Sequence, residues 1–559
     1  MNTTTMNESV DFIAIGSGSG SLCAAIKLQA AGKRVLVLEK TELLGGTTAT
    51  SGGVMWIPNN RFMKNEGIND SSALANSYLD AVVGDHSDTP GATRERRHRY
   101  VEESAQTIEF LIKQGLKFRR IPSWPDYHKA PGESLAGRTV ISELFDLNRL
   151  GEWKDKLRPG FLPLPAYIEE AMELPNIKRS WSSIKILFRI IGRAIKARLQ
   201  GKNLSTAGHA LQGQLLHAAI KAGADIRINA GVKQLLVEDG RVIGVTITKD
   251  NQQWRIGARC GVLINAGGFA QNQRMLDQYI PGANCAWSNA CKGDTGEMIE
   301  AGMDIGAAVA QMDQRVGSPV AIPPENPNIK PPMQGDLSKP HAILVDQNGR
   351  RYMREASSYS AISQNILNHN KNTPASPSWM ILDSQYLGKY MLAGSMPGKK
   401  KPKAWLEKNF LRTANSLAEL ATICGINSTT LETTVTRFNQ FVLDGQDQDF
   451  GRGNHIYDNW LGDSLHSPSQ TLGSIEKAPF YALPIYPGDL GTYGGLVTDQ
   501  YARVLRQDGS VIDGLYATGT STASVMGKGC PGAGASIGPA ITWGYVAAKQ
   551  VLNEDSNPD

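Results

Sequence analysis

Short apolar runs alternating with helical periodicity organise the N-terminal part of the chain. Residues 11–15 (DFIAI) form an apolar run that stops at glycines, residues 22–31 read as a helix, and residues 35–38 (VLVL) are apolar again. The pattern predicts strand, turn, helix, strand. Residues 232–247 place two apolar runs either side of Glu238-Asp239-Gly240-Arg241, which predicts a hairpin. Residues 261–266 predict a buried strand ahead of Gly267-Gly268. Seven prolines between positions 319 and 340 exclude a helix or central strand there and predict a crossing between domains. Residues 342–353 predict a second hairpin, residues 444–475 are polar and rich in Gly and Asp, and strand character returns at 502–505 and 514–517. A helix from about 539 to 552 ends the pattern. The expected architecture is α/β, with one discontinuous domain at 1–318 and 488–559 and a second, α+β domain inserted at 319–487.

Composition narrows this further. With 41% apolar and 20% charged residues among 559, the chain folds around a core, which excludes disordered and collagen-like classes. Six cysteines without a CxxC pair argue against a disulfide framework or a zinc ribbon, and no metal site is expected. No run of about 18 apolar residues is present, and residues 1–10 lack the features of a signal peptide, so a cytoplasmic location is expected. The net charge is +5, yet residues 174–224 alone hold nine Lys/Arg and no Asp/Glu. Basic character is therefore local, and nucleic-acid binding has no global support. Within that stretch, residues 181–202 predict a basic amphipathic helix, with Ile184, Phe188, Ile191 and Ile195 on one face and Lys185, Arg189, Arg193 and Lys196 on another. Such a helix either packs on the protein body with a solvated basic face or rests on an anionic membrane surface.

Glycines carry the first chemical signal. Gly16-Ser17-Gly18-Ser19-Gly20-Ser21 follows the first strand and opens the first helix, where backbone N–H groups can meet a pyrophosphate. Ser21 stands where the third glycine of GxGxxG is expected. Glu39 closes the second strand, at the distance expected of a carboxylate that binds a ribose hydroxyl. A dinucleotide site follows from strand, turn, helix and acid together. A second Gly/Thr-rich turn, residues 45–53 (GGTTATSGG), comes directly after the acid-bearing strand.

This combination resembles the FAD-dependent fumarate reductase and 3-ketosteroid dehydrogenase superfamily, from about residue 11 to 550. Supporting segments are Asn265-Ala266-Gly267-Gly268-Phe269, Gly293-Asp294-Thr295-Gly296 and Gly514-Leu515-Tyr516-Ala517-Thr518-Gly519. The resemblance implies a Rossmann-like FAD-binding domain with an inserted substrate domain, and FAD held non-covalently because Thr50 and Ser51, not His, precede Gly52-Gly53. The FAD contacts it implies are Gly16, Gly18, Ser19, Gly20, Ser21, Glu39, Lys40, Gly45, Gly46, Thr47, Thr48, Ser51, Gly52, Gly53, Val232, Ala266, Gly267, Gly519, Gly534, Ser536 and Ile537.

Three stretches resemble the 3-ketosteroid dehydrogenases in particular: Trp124-Pro125-Asp126-Tyr127-His128, residues 351–359 (RYMREASSY), and Gly529-Cys530-Pro531-Gly532-Ala533-Gly534. The segments expected at the flavin are aromatic, small and uncharged, which suits an apolar 3-ketosteroid. By resemblance Tyr359 is the base, Tyr127 its hydrogen-bonding helper, Gly534 N–H a donor to the carbonyl oxygen, and flavin N5 the hydride acceptor. Cys530 departs from the family's Tyr at that position, and a thiol is a weak donor. Δ1 desaturation is the leading expectation. A Δ4-(5α or 5β)-3-ketosteroid dehydrogenase, a fumarate-reductase-like enoate reductase and a non-catalytic flavin protein are the alternatives, and the electron acceptor is left open. Tyr486 and Tyr493 are candidates to supply a replacement hydroxyl. Cys530 is read as a space-making residue, not a nucleophile, and His128 as a surface histidine. Residues 534–538 spell G-x-S-x-G, but no histidine follows His466, so Ser536 is read as flavin lining.

Overall fold

The computed structural model describes residues 6–85, 89–249 and 252–554. Part of the N-terminal segment read above, residues 1–5, lies outside them. Strands β1 (Glu8–Ile15), β2 (Val35–Leu38) and β3 (Gln252–Ile264) sit in an eight-stranded sheet, with β1 parallel to both neighbours. Asp225–Arg227 lies parallel outside β2, and Val511–Ala517 parallel outside β3. The central strands are buried on both faces, which is why they read as unbroken apolar runs instead of alternating ones. Helix α1 (Ser19–Ala30) crosses from β1 to β2 and packs against the C-terminal helix Ile537–Val551. That approach fixes position 20: a Cβ on Gly20 would lie 2.5 Å from the Ala540 carbonyl oxygen. Ser21 is tolerated in place of glycine because its buried hydroxyl accepts a hydrogen bond from Asn265 Nδ2 at 3.2 Å.

The hairpin expected at 232–247 is present as Val232–Glu238 and Arg241–Lys249. A second sheet of five strands is built on β4 (Arg315–Val320) and β5 (Phe480–Thr492), with Ser378–Asp383, Ala342–Val345 and Arg412–Ala414. The strands β4 and β5 straddle the expected divisions at 318/319 and 487/488. Pro319 is itself in a strand, but β4 is an edge strand, not a central one, and does not need its N–H. The second hairpin does not form. Residues 346–353 turn without a return strand, and Ala342–Val345 pairs with Ser378–Asp383.

The reason lies in residues 351–355, which serve as a buried electrostatic anchor. Arg351 pairs with Glu355 at 2.8 Å and with Asp447 at 2.9 Å, and Arg452 donates to Glu355 at 3.4 Å. Burial opposes the charge on Glu355, but the Arg351 guanidinium wins and holds its carboxyl below the usual range. Helix α2 (Trp181–Leu199) forms as expected but faces differently from the packed alternative. Its row Trp181, Phe188, Ile195 and Leu199 is 80%, 67%, 56% and 84% exposed, whereas Arg193 turns inward to Glu170 at 2.6 Å.

Replacing Glu355 with Ala leaves two buried guanidinium groups short of a counter-charge and is expected to cost about 3–5 kcal/mol of stability. Thermal unfolding should show the loss near neutral pH. Because the folded pKa is depressed, the contribution is present above the ordinary carboxylate range and is lost as pH falls through it, so the deficit should shrink in acid.

Candidate active site

The C-terminal ends of β1, β3 and Val511–Ala517 converge, which is where open α/β sheets bind ligands. Gly16, Gly18, Ser19, Gly20 and Ser21 form the turn there. The N-cap Gly18 offers no side-chain acceptor and the first turn of α1 carries no acid, so its N–H groups are left to an anion. Ser19 Oγ is buried without a partner. Glu39 lies beside this turn, accepting from Ser17 Oγ at 2.7 Å and from Thr41 N at 2.9 Å. Gly45 caps the short helix Gly46–Thr50, and Gly46 faces open space. Thr47 Oγ1 accepts from Cys291 N at 3.0 Å. Ser51 Oγ accepts from Gly53 N and donates to the Thr48 carbonyl, which shapes the turn around Gly52. Ala266 N and the Gly267 carbonyl are joined through Ser521, next to Gly519, and Ser536 and Ile537 open the C-terminal helix. Val232 begins its strand in the core, and the residue before it, Gly231, lies against Lys40. The Lys40 side chain is engaged elsewhere, with Thr295 at 2.8 Å and with Glu297. An uncapped helix end, an orphaned serine hydroxyl, a ribose-type carboxylate and an open glycine turn together fit FAD.

The aromatic centre is assembled from five segments. Tyr359 is the first residue of α3 (Tyr359–Asn370), capped by Ser358. Tyr127 stands edge-on to it at 6.1 Å between ring centroids and packs on Tyr457 at 4.2 Å. The Cys530 thiol lies within reach of the hydroxyls of Tyr359, Tyr493 and Ser360. Tyr359 is half-buried, keeping part of its surface open, while Tyr127, Tyr457, Tyr493 and Cys530 are buried. The hydroxyls of Tyr127 and Tyr493 have no hydrogen bond of good geometry. Burial pushes Tyr127, Tyr359 and Tyr493 well above the ordinary phenol range, with the neighbouring phenols and thiol adding to the shift. It also lifts the Cys530 thiol to about 11, which fits a space-making residue and not a nucleophile.

Gly534 has φ +94°, and a Cβ there would sit 2.4 Å from Met55 Cα. Its carbonyl accepts from Trp56 N at 3.2 Å, whereas its N–H has no acceptor among the described residues. Buried Asp126 fixes this loop against that of Tyr127. It accepts from Trp56 Nε1 at 2.8 Å and from Ser134 N at 2.9 Å, and pairs with Arg138, which also binds Asp70 at 2.8 Å. Burial lifts the Asp126 pKa to about 6 against the pull of Arg138. Tyr127 N and Tyr78 OH both donate to the Pro531 carbonyl, at 3.0 and 2.7 Å.

Two expectations need correction. His128 is not a surface residue: it is partly buried, its ring meets the Cys530 carbonyl oxygen at 3.1 Å, and burial lowers its pKa. Tyr486 packs on Trp287 at 5.3 Å and, unlike Tyr493, makes no contact with Cys530 in the structure. Tyr457 escaped the sequence reading. Its signal was Tyr457 and Trp460 one helical turn apart in an otherwise polar stretch, and Trp460 stacks on Trp124 at 4.6 Å.

Similarity to known proteins agrees with this geometry. Residues 11–537 match the family model described as FAD binding domain. The 3-oxosteroid 1-dehydrogenase of Mycolicibacterium smegmatis is 34% identical, with 97% of each chain covered. The 4-oxocyclohexanecarboxylate 2-dehydrogenase of Sinomonas cyclohexanicum is 31% identical, covering 99% of this chain and 95% of that protein. The crystal structure of 3-ketosteroid Δ1-dehydrogenase from Sterolibacterium denitrificans, in complex with 1,4-androstadiene-3,17-dione, is 33% identical. It superposes with a TM-score of 0.91 over 98% of this chain and 100% of that one. The chain belongs to the FAD-binding flavoprotein family of the 3-ketosteroid dehydrogenases, and its cofactor is FAD.

Proposed function

We propose that the protein is an oxidoreductase that introduces a C1–C2 double bond beside the 3-keto group of a steroid. The observation that carries this reading is the meeting of a phenol and a free backbone donor in an uncharged aromatic centre. Tyr359 reaches the Cys530 thiol, and Gly534, four residues further on, presents an unpaired N–H. Desaturation next to a ketone removes a proton from C2 and a hydride from C1, and charge develops on the ketone oxygen. Non-covalently bound FAD supplies the hydride acceptor. Gly534 N–H hydrogen-bonds the ketone oxygen and stabilises the enolate that forms as C2 loses its proton. Tyr359 takes that proton at its phenolic oxygen.

A base must be deprotonated, and burial works against this for Tyr359. The positive N-terminal end of α3, on which Tyr359 sits, opposes that cost, and Tyr127, whose hydroxyl lies within reach of Tyr457 without a bond of good geometry, can turn it towards the phenolate. Stacked Trp124 and Trp460 offer flat apolar surface to a fused-ring substrate. A Δ4 dehydrogenation would keep the same logic with a shifted ring, but both steroid enzymes quoted above are named for the 1-position. A keto acid such as that in the name of the Sinomonas relative would need a cation at its carboxylate, and the phenol–thiol cluster supplies none. The exposed apolar row of α2, flanked by Lys185, Arg189 and Lys196, is the surface we assign to an anionic membrane, from which a sterol-like substrate can enter. No described helix is long and apolar enough to cross a membrane.

Incubation with a 1,2-saturated 3-ketosteroid and an artificial acceptor should give a C1–C2 alkene by NMR. Desaturation only of 5α- or 5β-3-ketosteroids at C4–C5 would contradict the assignment. Tyr359→Phe should keep FAD and lose roughly 10²–10⁴ in kcat, and wild-type kcat/KM should climb with pH on the alkaline side. Serine at positions 181, 188, 195 and 199 should abolish co-sedimentation with anionic vesicles, and undiminished binding would remove α2 from the account.

A further inference from the structure

The reaction proposed above leaves one buried group unused. Tyr493 follows the end of β5 and lies beside the thiol of Cys530 and Ser360. It is 5% exposed, and its hydroxyl has only the weak Cys530 thiol and Ser360 within reach, with no hydrogen bond of good geometry to either. Leaving a buried hydroxyl without a partner costs about 1–3 kcal/mol, so such a group calls for a ligand. Its backbone is pinned from both sides, since Tyr493 N donates to the Gln314 carbonyl at 2.9 Å and its carbonyl accepts from Ser524 N at 3.1 Å. The next residue cannot shift to relieve it: a Cβ on Gly494 would lie 2.4 Å from Met312 Cα. The ring also lines a cleft with Thr520 and with Ala535, Ser536, Pro539 and Trp543, which belong to the loop of Gly534 and the helix that follows it.

An enolate oxygen held by a single backbone N–H has a second acceptor position to fill. Cys530 is a poor candidate, because a thiol is a weak donor. It is also small, which leaves room for the phenol of Tyr493, beside it in the structure, to reach the same point. We infer that Tyr493 is a catalytic residue, the second hydrogen-bond donor to the substrate ketone oxygen beside Gly534 N–H. This rests on the ketone-dehydrogenase reading. The phenol keeps its proton throughout, which its buried setting favours, and only the hydrogen bond strengthens as charge builds on oxygen.

The test compares FAD-loaded wild type, Tyr493→Phe, and Tyr493→Phe combined with Cys530→Tyr, on a 1,2-saturated 3-ketosteroid. Tyr493→Phe should lose about 10²–10³ in kcat with KM changed only a few-fold. The double variant, which returns a phenol to the same point, should recover at least about tenfold of that loss. A kcat for Tyr493→Phe within about threefold of wild type would overturn the inference, whereas a wild type inert towards every ketone would instead overturn the reading beneath it. Should Tyr493→Phe fail to hold FAD, 3,5-difluorotyrosine at position 493 preserves the shape and makes a stronger donor. The carbonyl stretch of a bound enone should then move to lower frequency than in wild type, and an unmoved band would overturn the inference.

Discussion

One buried carboxylate ties together the segments from which the site is made. Asp126 holds the Trp56 indole, the Ser134 backbone and the Arg138 guanidinium, and its neighbour Tyr127 is pinned to the Pro531 carbonyl. Trp56 in turn donates from its backbone to Gly534, whose positive φ and contact with Met55 admit no side chain. The placement of Tyr127 relative to Gly534 therefore rests on a charge network far more costly to break than an exposed ion pair. Each member leaves an unpaired polar partner in the interior if removed. The same logic recurs around Tyr359, where Arg351, Glu355, Asp447 and Arg452 fix the chain just ahead of α3.

This division of labour explains what the sequence made legible. Local rules sufficed for Gly16 to Ser21, Glu39 and the flanking strands, because strand period, turn chemistry and a helix start are all written within thirty residues. Tyr359, Tyr127 and Gly534 were reached by resemblance to motifs and are brought together by the fold. Tyr457 was not legible, and the sequence offered Tyr493 and Tyr486 alike as a replacement hydroxyl, since only contacts between segments far apart in the chain separate the two. Residues 342–353 were read as a hairpin, yet Arg351 at the end of that segment turns into the protein to meet Glu355. Lys40 and His128 show the converse: residues beside a motif whose side chains serve the scaffold.

Charge and polarity are separated across the molecule. Guanidinium–carboxylate pairs hold loops, and the proposed reacting centre is left with phenols, a thiol and backbone N–H groups. Such a centre strengthens hydrogen bonds to a developing oxyanion and offers little to a dianionic substrate. Positive charge is instead clustered on the surface along α2 beside its exposed apolar row, where Arg189 and Arg193 share the single acid Glu170.

In the proposed reaction Tyr359 removes a proton from a carbon next to a ketone, and bound FAD would supply the hydride acceptor. Anaerobic mixing of FAD-loaded protein with a 1,2-saturated 3-ketosteroid tests it most directly. The account requires the yellow absorbance of oxidised flavin to bleach in a single turnover, with one dienone or enone formed per flavin, and requires the Tyr359→Phe protein to stay yellow. A flavin that remains oxidised in the wild type, or bleaches equally in both proteins, would contradict it.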